Sequence, residues 1–122
     1  MNEGLEQAGL EKTVNLAKQL SVAIRSSSEY TVYRQRLEEL QGQPELYAQV
    51  NNLRRNNFQR QNGGGGRMTY DEYSAFVAES RRLRGNPLVD EFLNAEVGLG
   101  RLLQDVKRII ISEIDFDNQF LD

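Results

Sequence analysis

The sequence predicts an all-α protein of about five helices that includes a long helical hairpin. Apolar residues recur at intervals of three and four in five segments, which is the spacing of a helix with one buried face. Serine, glycine and proline separate these segments at the places where helices begin and end. No segment shows the apolar–polar alternation of a half-buried strand.

The length and composition predict one domain over residues 1–122 that pairs with a second copy of itself. A chain of 122 residues suits a single domain. Its hydrophobic share is 39%, slightly below that of an average globular protein, so the core should be thin. Because small domains are marginally stable, a second subunit often completes such a core. We therefore expect a helical-bundle homodimer.

The first two helices are predicted at residues 5–25 and 29–40, with serines between them that can cap the second. Gly42 follows the second helix, where a left-handed residue is expected. The apolar stripe of the first helix consists of Leu10, Val14, Ala17, Leu20 and Ile24. That of the second consists of Tyr30, Tyr33, Leu37 and Leu40.

The third and fourth helices are predicted at residues 44–61 and 69–84, as two arms of a hairpin. Four consecutive glycines at residues 63–66 separate them. Each glycine costs up to about 1 kcal/mol relative to alanine in a helix, so this run should form a flexible turn. Thr69 and Glu72 have the spacing of a capping box at the start of the fourth helix.

The fifth helix, predicted at residues 87–114, has the clearest beginning and the longest apolar stripe. Asn86 is placed to cap it and Pro87 suits its first turn. The helix should be about 40 Å long at 1.5 Å per residue, which is more than one short helix can cover. We expect its apolar stripe to belong either to the core or to a dimer interface. The stripe consists of Phe92, Leu99, Leu102, Leu103, Val106, Ile110 and Ile114. Residues 115–122, the acidic tail, should fray.

The chain has no cysteine and no histidine. Disulfides, thiolate metal sites and catalysis by cysteine or histidine are therefore excluded. The carboxylates form no recognisable acid–base pair or calcium loop. We accordingly expect neither an enzyme nor a cofactor. No apolar run is long enough to span a membrane and the beginning lacks the pattern of a secretory signal, so we expect a cytoplasmic protein.

The tip of the predicted hairpin is basic. Its arginines are Arg54, Arg55, Arg60 and Arg67, and no acid occurs between Leu46 and Tyr70. Arginine beside asparagine and glutamine suits a phosphate-bearing partner such as RNA. A solvated helix end is the preferred interpretation, because Phe58 is the only aromatic residue among them. The glycine run lacks the following lysine of a phosphate-binding loop.

Several motifs occur in an order that resembles a known family. In chain order they are Ser28-Glu29-Tyr30, Gln43-Pro44-Glu45-Leu46, Asn86-Pro87-Leu88-Val89, Phe92-Leu93-Asn94-Ala95-Glu96 and Leu102-Leu103-Gln104-Asp105-Val106. Each alone is a helix cap or stripe, but together the chain resembles the YlbF/YmcA family of Gram-positive bacteria. The resemblance covers about residues 10–114 and is best in the second half.

The resemblance implies an all-helical dimer with a long hairpin and a cytoplasmic regulator rather than an enzyme. Some members assist ribonuclease Y in messenger RNA processing, in complexes that carry iron–sulfur clusters on cysteines, whereas YheA-type members have no settled function. This chain has no cysteine, so the cluster does not transfer to it. We predict a non-catalytic regulatory adaptor that acts by protein–protein interaction and homodimerisation. The alternative is an accessory factor in RNA processing that uses the basic tip.

Overall fold

The computed structural model describes residues 2–61, 68–115, 117 and 119, and in this part of the chain it contains helices and no strand. The five helices are α1 (Asn2–Arg25), α2 (Ser28–Gln41), α3 (Pro44–Gln61), α4 (Tyr70–Arg84) and α5 (Pro87–Ile114). The all-α prediction is confirmed. The glycine run at residues 63–66, Arg67 and most of the acidic tail lie outside the described residues.

Local sequence chemistry determines where α2, α4 and α5 begin. The side-chain oxygens of Ser27, Thr69 and Asn86 accept hydrogen bonds from backbone N–H groups of the first helical turn, at 3.2, 3.1 and 3.0 Å. These bonds satisfy donors that have no partner inside the helix. Proline follows Asn86 directly, where its missing N–H costs nothing.

The prediction that Gly42 adopts a left-handed conformation is wrong. Gly42 ends α2 with φ −68°, in the right-handed region. A Cβ atom there would lie 3.2 Å from the carbonyl oxygen of Glu39, so glycine relieves crowding rather than supplying a positive φ. Among the described residues other than glycine, only Asp115 has a positive φ, at 54°, and it caps the end of α5.

The core lies where α2, α3, α4 and α5 meet. Phe92 is fully buried, and its ring centroid lies 5.7 Å from that of Tyr33 on α2. The guanidinium of Arg54 on α3 lies over the same ring, at 5.1 Å from its centroid. The buried residues are Leu37, Leu40, Val50, Leu53, Leu83, Val89, Phe92 and Leu93.

The helices α3 and α4 form an antiparallel hairpin against α5. Near its closed end the Arg60 guanidinium lies 5.3 Å from the centroid of the Phe76 ring. Near its open end Arg82 donates to the side-chain oxygen of Gln49 at 3.1 Å. The long hairpin predicted from the sequence is therefore present.

The first helix contributes no residue to the core. All but one of the side chains of α1 are exposed, and Ile24 is half-buried. We expected its stripe of leucine, valine and isoleucine to be buried, but no other described helix covers that face. Across the described residues, no helix combines the length and the hydropathy that a membrane span requires.

Replacing Phe92 by alanine should destabilise the fold by about 3–5 kcal/mol, because it removes a fully buried ring and leaves a cavity. Urea unfolding at one fixed protein concentration measures the change. Tyr70→Ala is the matched control, since Tyr70 is 82% exposed and its loss should change the free energy of unfolding by less than about 0.5 kcal/mol. Equal effects of the two substitutions would show that Phe92 does not hold the core together.

Candidate interaction surface

The second half of α5 carries an uncovered apolar surface, which we call the α5 strip. It consists of Leu99, Leu102, Leu103, Val106, Ile110 and Ile114. Leu99, Leu102 and Val106 are half-buried, whereas Leu103, Ile110 and Ile114 are exposed. Exposure reaches 64% at Ile114. Of the predicted α5 stripe, Phe92 therefore belongs to the core, and the remaining six residues form this strip.

Residues of the α5 strip have the spacing of a coiled-coil seam. Leu99, Leu103, Val106 and Ile110 follow one another at intervals of four, three and four, as the a and d positions of heptads do. Such a seam needs a facing helix to fill the holes between its side chains. The strip can therefore receive an apolar helix from another molecule.

The first helix offers a second uncovered apolar surface. Leu10, Val14 and Leu20 of its predicted stripe are exposed by 58%, 43% and 37%. Singly exposed apolar residues are ordinary on protein surfaces, but contiguous ones commonly mark an interaction site. A helix of 24 residues that buries none of its side chains gains little from the rest of the monomer.

Arg54, predicted as a partner contact at the hairpin tip, is held inside the monomer. Its Nη2 atom lies 2.6 Å from Oε2 of Glu96 on α5, and its guanidinium stacks on Phe92. Its Nη1 atom donates to the side-chain oxygen of Asn51 at 3.0 Å. Arg54 thus joins α3 to α5, a role that the local sequence does not reveal.

The other predicted tip arginines differ in their surroundings. Arg60 stacks on Phe76 and so joins α3 to α4, although it remains exposed. Arg55 is exposed and donates to Asn52 within α3. Arg67 lies outside the described residues. Of the three described arginines, Arg55 is therefore the one whose contacts leave it most available to a partner.

The asparagines near the tip form hydrogen bonds with neighbouring arginines of the same helix. Asn51, Asn52 and Asn57 each accept a hydrogen bond from the arginine three residues later, at 3.0, 3.1 and 3.0 Å. Side chains three residues apart are neighbours on a helix surface. The amide-rich composition that suggested phosphate contact is therefore explained in part by bonds within α3.

A groove between α3, α4 and α5 has a volume of 720 Å³, within the usual range of binding sites. We call it the hairpin groove. It combines apolar side chains with three arginines and one carboxylate. The lining residues used below are Arg54, Arg55, Phe76, Arg84, Leu93, Glu96 and Val97. No local motif in the sequence indicates this groove, because three separate helices must meet to form it.

Two described ion pairs limit the positive charge of the hairpin groove. Glu96 pairs with Arg54, and Asp90 accepts a hydrogen bond from Arg84 at 2.8 Å. No described carboxylate lies within ion-pair distance of Arg55, or of Arg81 in an adjoining hollow that shares Phe76 with the groove. The groove and its rim therefore carry a net positive charge.

The described titratable groups do not converge on a reactive centre. Hydrogen bonds with Gln41 and then Asn51 lower the pKa of the Tyr47 hydroxyl. The Arg82 guanidinium lowers the pKa of Glu79, and the same ion pair raises the pKa of Arg82. Tyr47 is half-buried against the core, whereas Glu79 and Arg82 form an ion pair at the surface. No described cluster of acidic side chains has the arrangement of a metal site.

The chain matches the model of a known protein family over most of its length. The family model described as control of competence regulator ComK, YlbF/YmcA, matches residues 13–115, which is most of the chain. The chain belongs to the YlbF/YmcA family. The match confirms the resemblance drawn from the order of the motifs and places the chain in a family with a regulatory role.

A curated relative extends the comparison beyond the YlbF/YmcA family model. The chain is 20% identical over 112 residues to a UPF0342 protein of Caldicellulosiruptor bescii, covering 90% of this chain and 94% of the relative. The two proteins therefore match over nearly their full lengths. No solved structure matches the chain.

Arg54→Ala should lower the free energy of unfolding by about 1–3 kcal/mol, because it removes a half-buried ion pair and a cation–π contact. Arg55→Ala is the control, because it removes an arginine side chain from the same helix at a solvent-exposed position. It should lower the free energy of unfolding by less than about 0.5 kcal/mol. Combining Arg54→Ala with Glu96→Gln in a double-mutant cycle isolates the pair energy. Equal costs for the two arginines would contradict a structural role for Arg54.

Proposed function

We propose that the chain is a non-catalytic cytoplasmic regulatory protein that works as a homodimer and binds other proteins through its uncovered helix faces. The observation that carries this proposal is the α5 strip. Its side chains continue the seam of the core beyond the point where other helices of the same chain bury it. Family membership supports a regulatory role and implies protein partners.

The exposed area of the chain supports a second subunit. The monomer exposes 9720 Å². A compact folded monomer of 14.0 kDa would expose about 6,700 Å², so the chain has roughly 3,000 Å² in excess. Obligate dimers bury about 2,000–5,000 Å² over both subunits, which is about 1,000–2,500 Å² on each. The excess on one chain is therefore more than enough to supply one side of a permanent interface, and α1 and the α5 strip contribute to it.

Two copies of the α5 strip can cover each other. Two-fold symmetry places the same surface of both subunits in contact, so a self-complementary seam is required. In an antiparallel pair, Leu99 of one copy would lie opposite Ile110 of the other, and Leu103 opposite Val106. Each leucine then meets a β-branched residue, which allows the side chains to interdigitate.

Contact with RNA through the basic tip has weaker support. Arg54 and Arg60 already pack against rings of the monomer, and their asparagine neighbours accept bonds from the arginines. RNA binding through the tip would then depend mainly on Arg55 and Arg67, and it would fall steeply with salt, since binding releases counterions from the phosphates. Titration with RNA at low and high salt, with Arg55→Ala as the comparison, tests this alternative.

The homodimer predicts a mass of twice 14.0 kDa by light scattering. Ile110→Asp and Leu103→Asp should each raise the dimer dissociation constant by about 100-fold or more, because an unpaired charge would be buried in the seam. Helix content by circular dichroism should persist in both, since the two side chains are exposed in the monomer.

Gln104→Asp is the control for these substitutions. It introduces the same charge beside Leu103, at an exposed position about 100° further around the helix, and should leave the mass unchanged. A wild-type mass of 14.0 kDa at every concentration would refute the homodimer. An unchanged dimer in both aspartate variants would place the interface elsewhere.

A further inference from the structure

We infer that the hairpin groove of one subunit binds the acidic tail, residues 115–122, of a second copy of the chain. This inference rests on the proposed antiparallel homodimer. It assigns an occupant to the hairpin groove and a binding role to the acidic tail. Charge, apolar content and the reach of the tail support it.

The groove presents two kinds of surface side by side. Leu93, Phe76 and Val97 supply apolar area, and Val97 is 46% exposed. Arg55 lines the groove and Arg81 lines the adjoining hollow, each without a carboxylate partner among the described residues. A ligand that carries both carboxylates and apolar side chains would satisfy both surfaces.

The acidic tail has this mixed chemistry. It contains aspartates at positions 115, 117 and 122, no lysine or arginine, and three large apolar residues. Its apolar residues are Phe116, Phe120 and Leu121. Aspartate suits the charge of an arginine, and a phenylalanine ring suits both apolar area and the face of a guanidinium.

The tail cannot place these residues in the groove of its own chain. From Val97 to Asp115 the helix rises about 27 Å at 1.5 Å per residue. Phe120 follows Asp115 by five residues, which span at most about 18 Å when fully extended. A chain that folded back along its own α5 would leave Phe120 well short of Val97.

The antiparallel seam removes this difficulty. With Leu103 of one copy opposite Val106 of the other, the end of one α5 lies level with residues 93–97 of the second copy. These residues form the α5 wall of the groove. Asp115 supports the path as well, because its left-handed conformation ends α5 and redirects the chain there.

The residues from Asp115 to Phe120 can cover the remaining distance. Because α2 and α3 of the second copy cover its Phe92, the partner's chain has to turn away from the seam at Asp115. It then reaches Leu93, which lies about 100° around the helix from Phe92. A helix is about 10–12 Å in diameter, so this quarter turn needs about three extended residues. Phe120 and Leu121 then arrive beside the apolar part of the groove.

Cross-linking through introduced cysteines tests the assignment, and the absence of native cysteine makes the readout specific. One population of full-length chain carries V97C and another carries F120C. The two are mixed, allowed to exchange subunits and treated with a bifunctional maleimide. We expect a cross-linked pair of twice the chain mass, containing one copy of each variant.

Two controls define the origin of the cross-link. Glu38→Cys, on the exposed surface of α2, replaces V97C and should give at most background. Adding Arg55→Glu and Arg81→Glu to the V97C chain should reduce the yield by about tenfold or more, because attraction for the aspartates becomes repulsion. Light scattering on the same samples should show that this double substitution leaves the dimer mass unchanged.

The outcomes separate this inference from the homodimer itself. A monomer mass for the wild-type chain refutes both proposals. A dimer mass without a V97C–F120C cross-link refutes the tail assignment alone, as does a yield that the glutamate substitutions do not change. A chain carrying both cysteines, diluted into excess wild-type chain, should give no internal cross-link; an internal cross-link would place the tail on its own subunit and overturn the inference.

Discussion

The fold depends on how the Phe92 ring is enclosed. The ring is fully buried between Tyr33 of α2 and the Arg54 guanidinium of α3, and it projects from α5. Arg54 can lie over the ring because Glu96, one turn further along α5, holds the other side of its guanidinium. One aromatic side chain and one ion pair therefore position three helices relative to one another.

This arrangement divides α5 into two halves with different roles. The first half packs into the core, since it contains the buried residues Val89, Phe92 and Leu93. The second half continues the same apolar seam, but the described helices leave its side chains half-buried or exposed. Because the described part of the chain contains only eight buried core residues, the monomer should be marginally stable, and association would contribute to its stability by mass action. The melting temperature of the protein would then rise with its concentration.

The features that the sequence predicted well are local. Ser27, Thr69 and Asn86 cap helices because their oxygens need only backbone N–H groups two or three residues away. The features that it did not predict depend on distant partners. Periodicity indicated an apolar face on α1 but not whether anything covers it. The role of Arg54 depends on Glu96, 42 positions further along the chain, and the groove requires three helices to meet.

The exposure of α1 on nearly all sides should affect how fast proteases degrade the protein in a cell. A helix that buries no side chain opens with little free-energy cost, and an open helix exposes backbone that proteases can cleave. Any molecule that covers α1 would therefore slow degradation of the whole chain. The amount of this protein would then follow the supply of whatever binds that helix, so turnover alone could match its abundance to that of its partner.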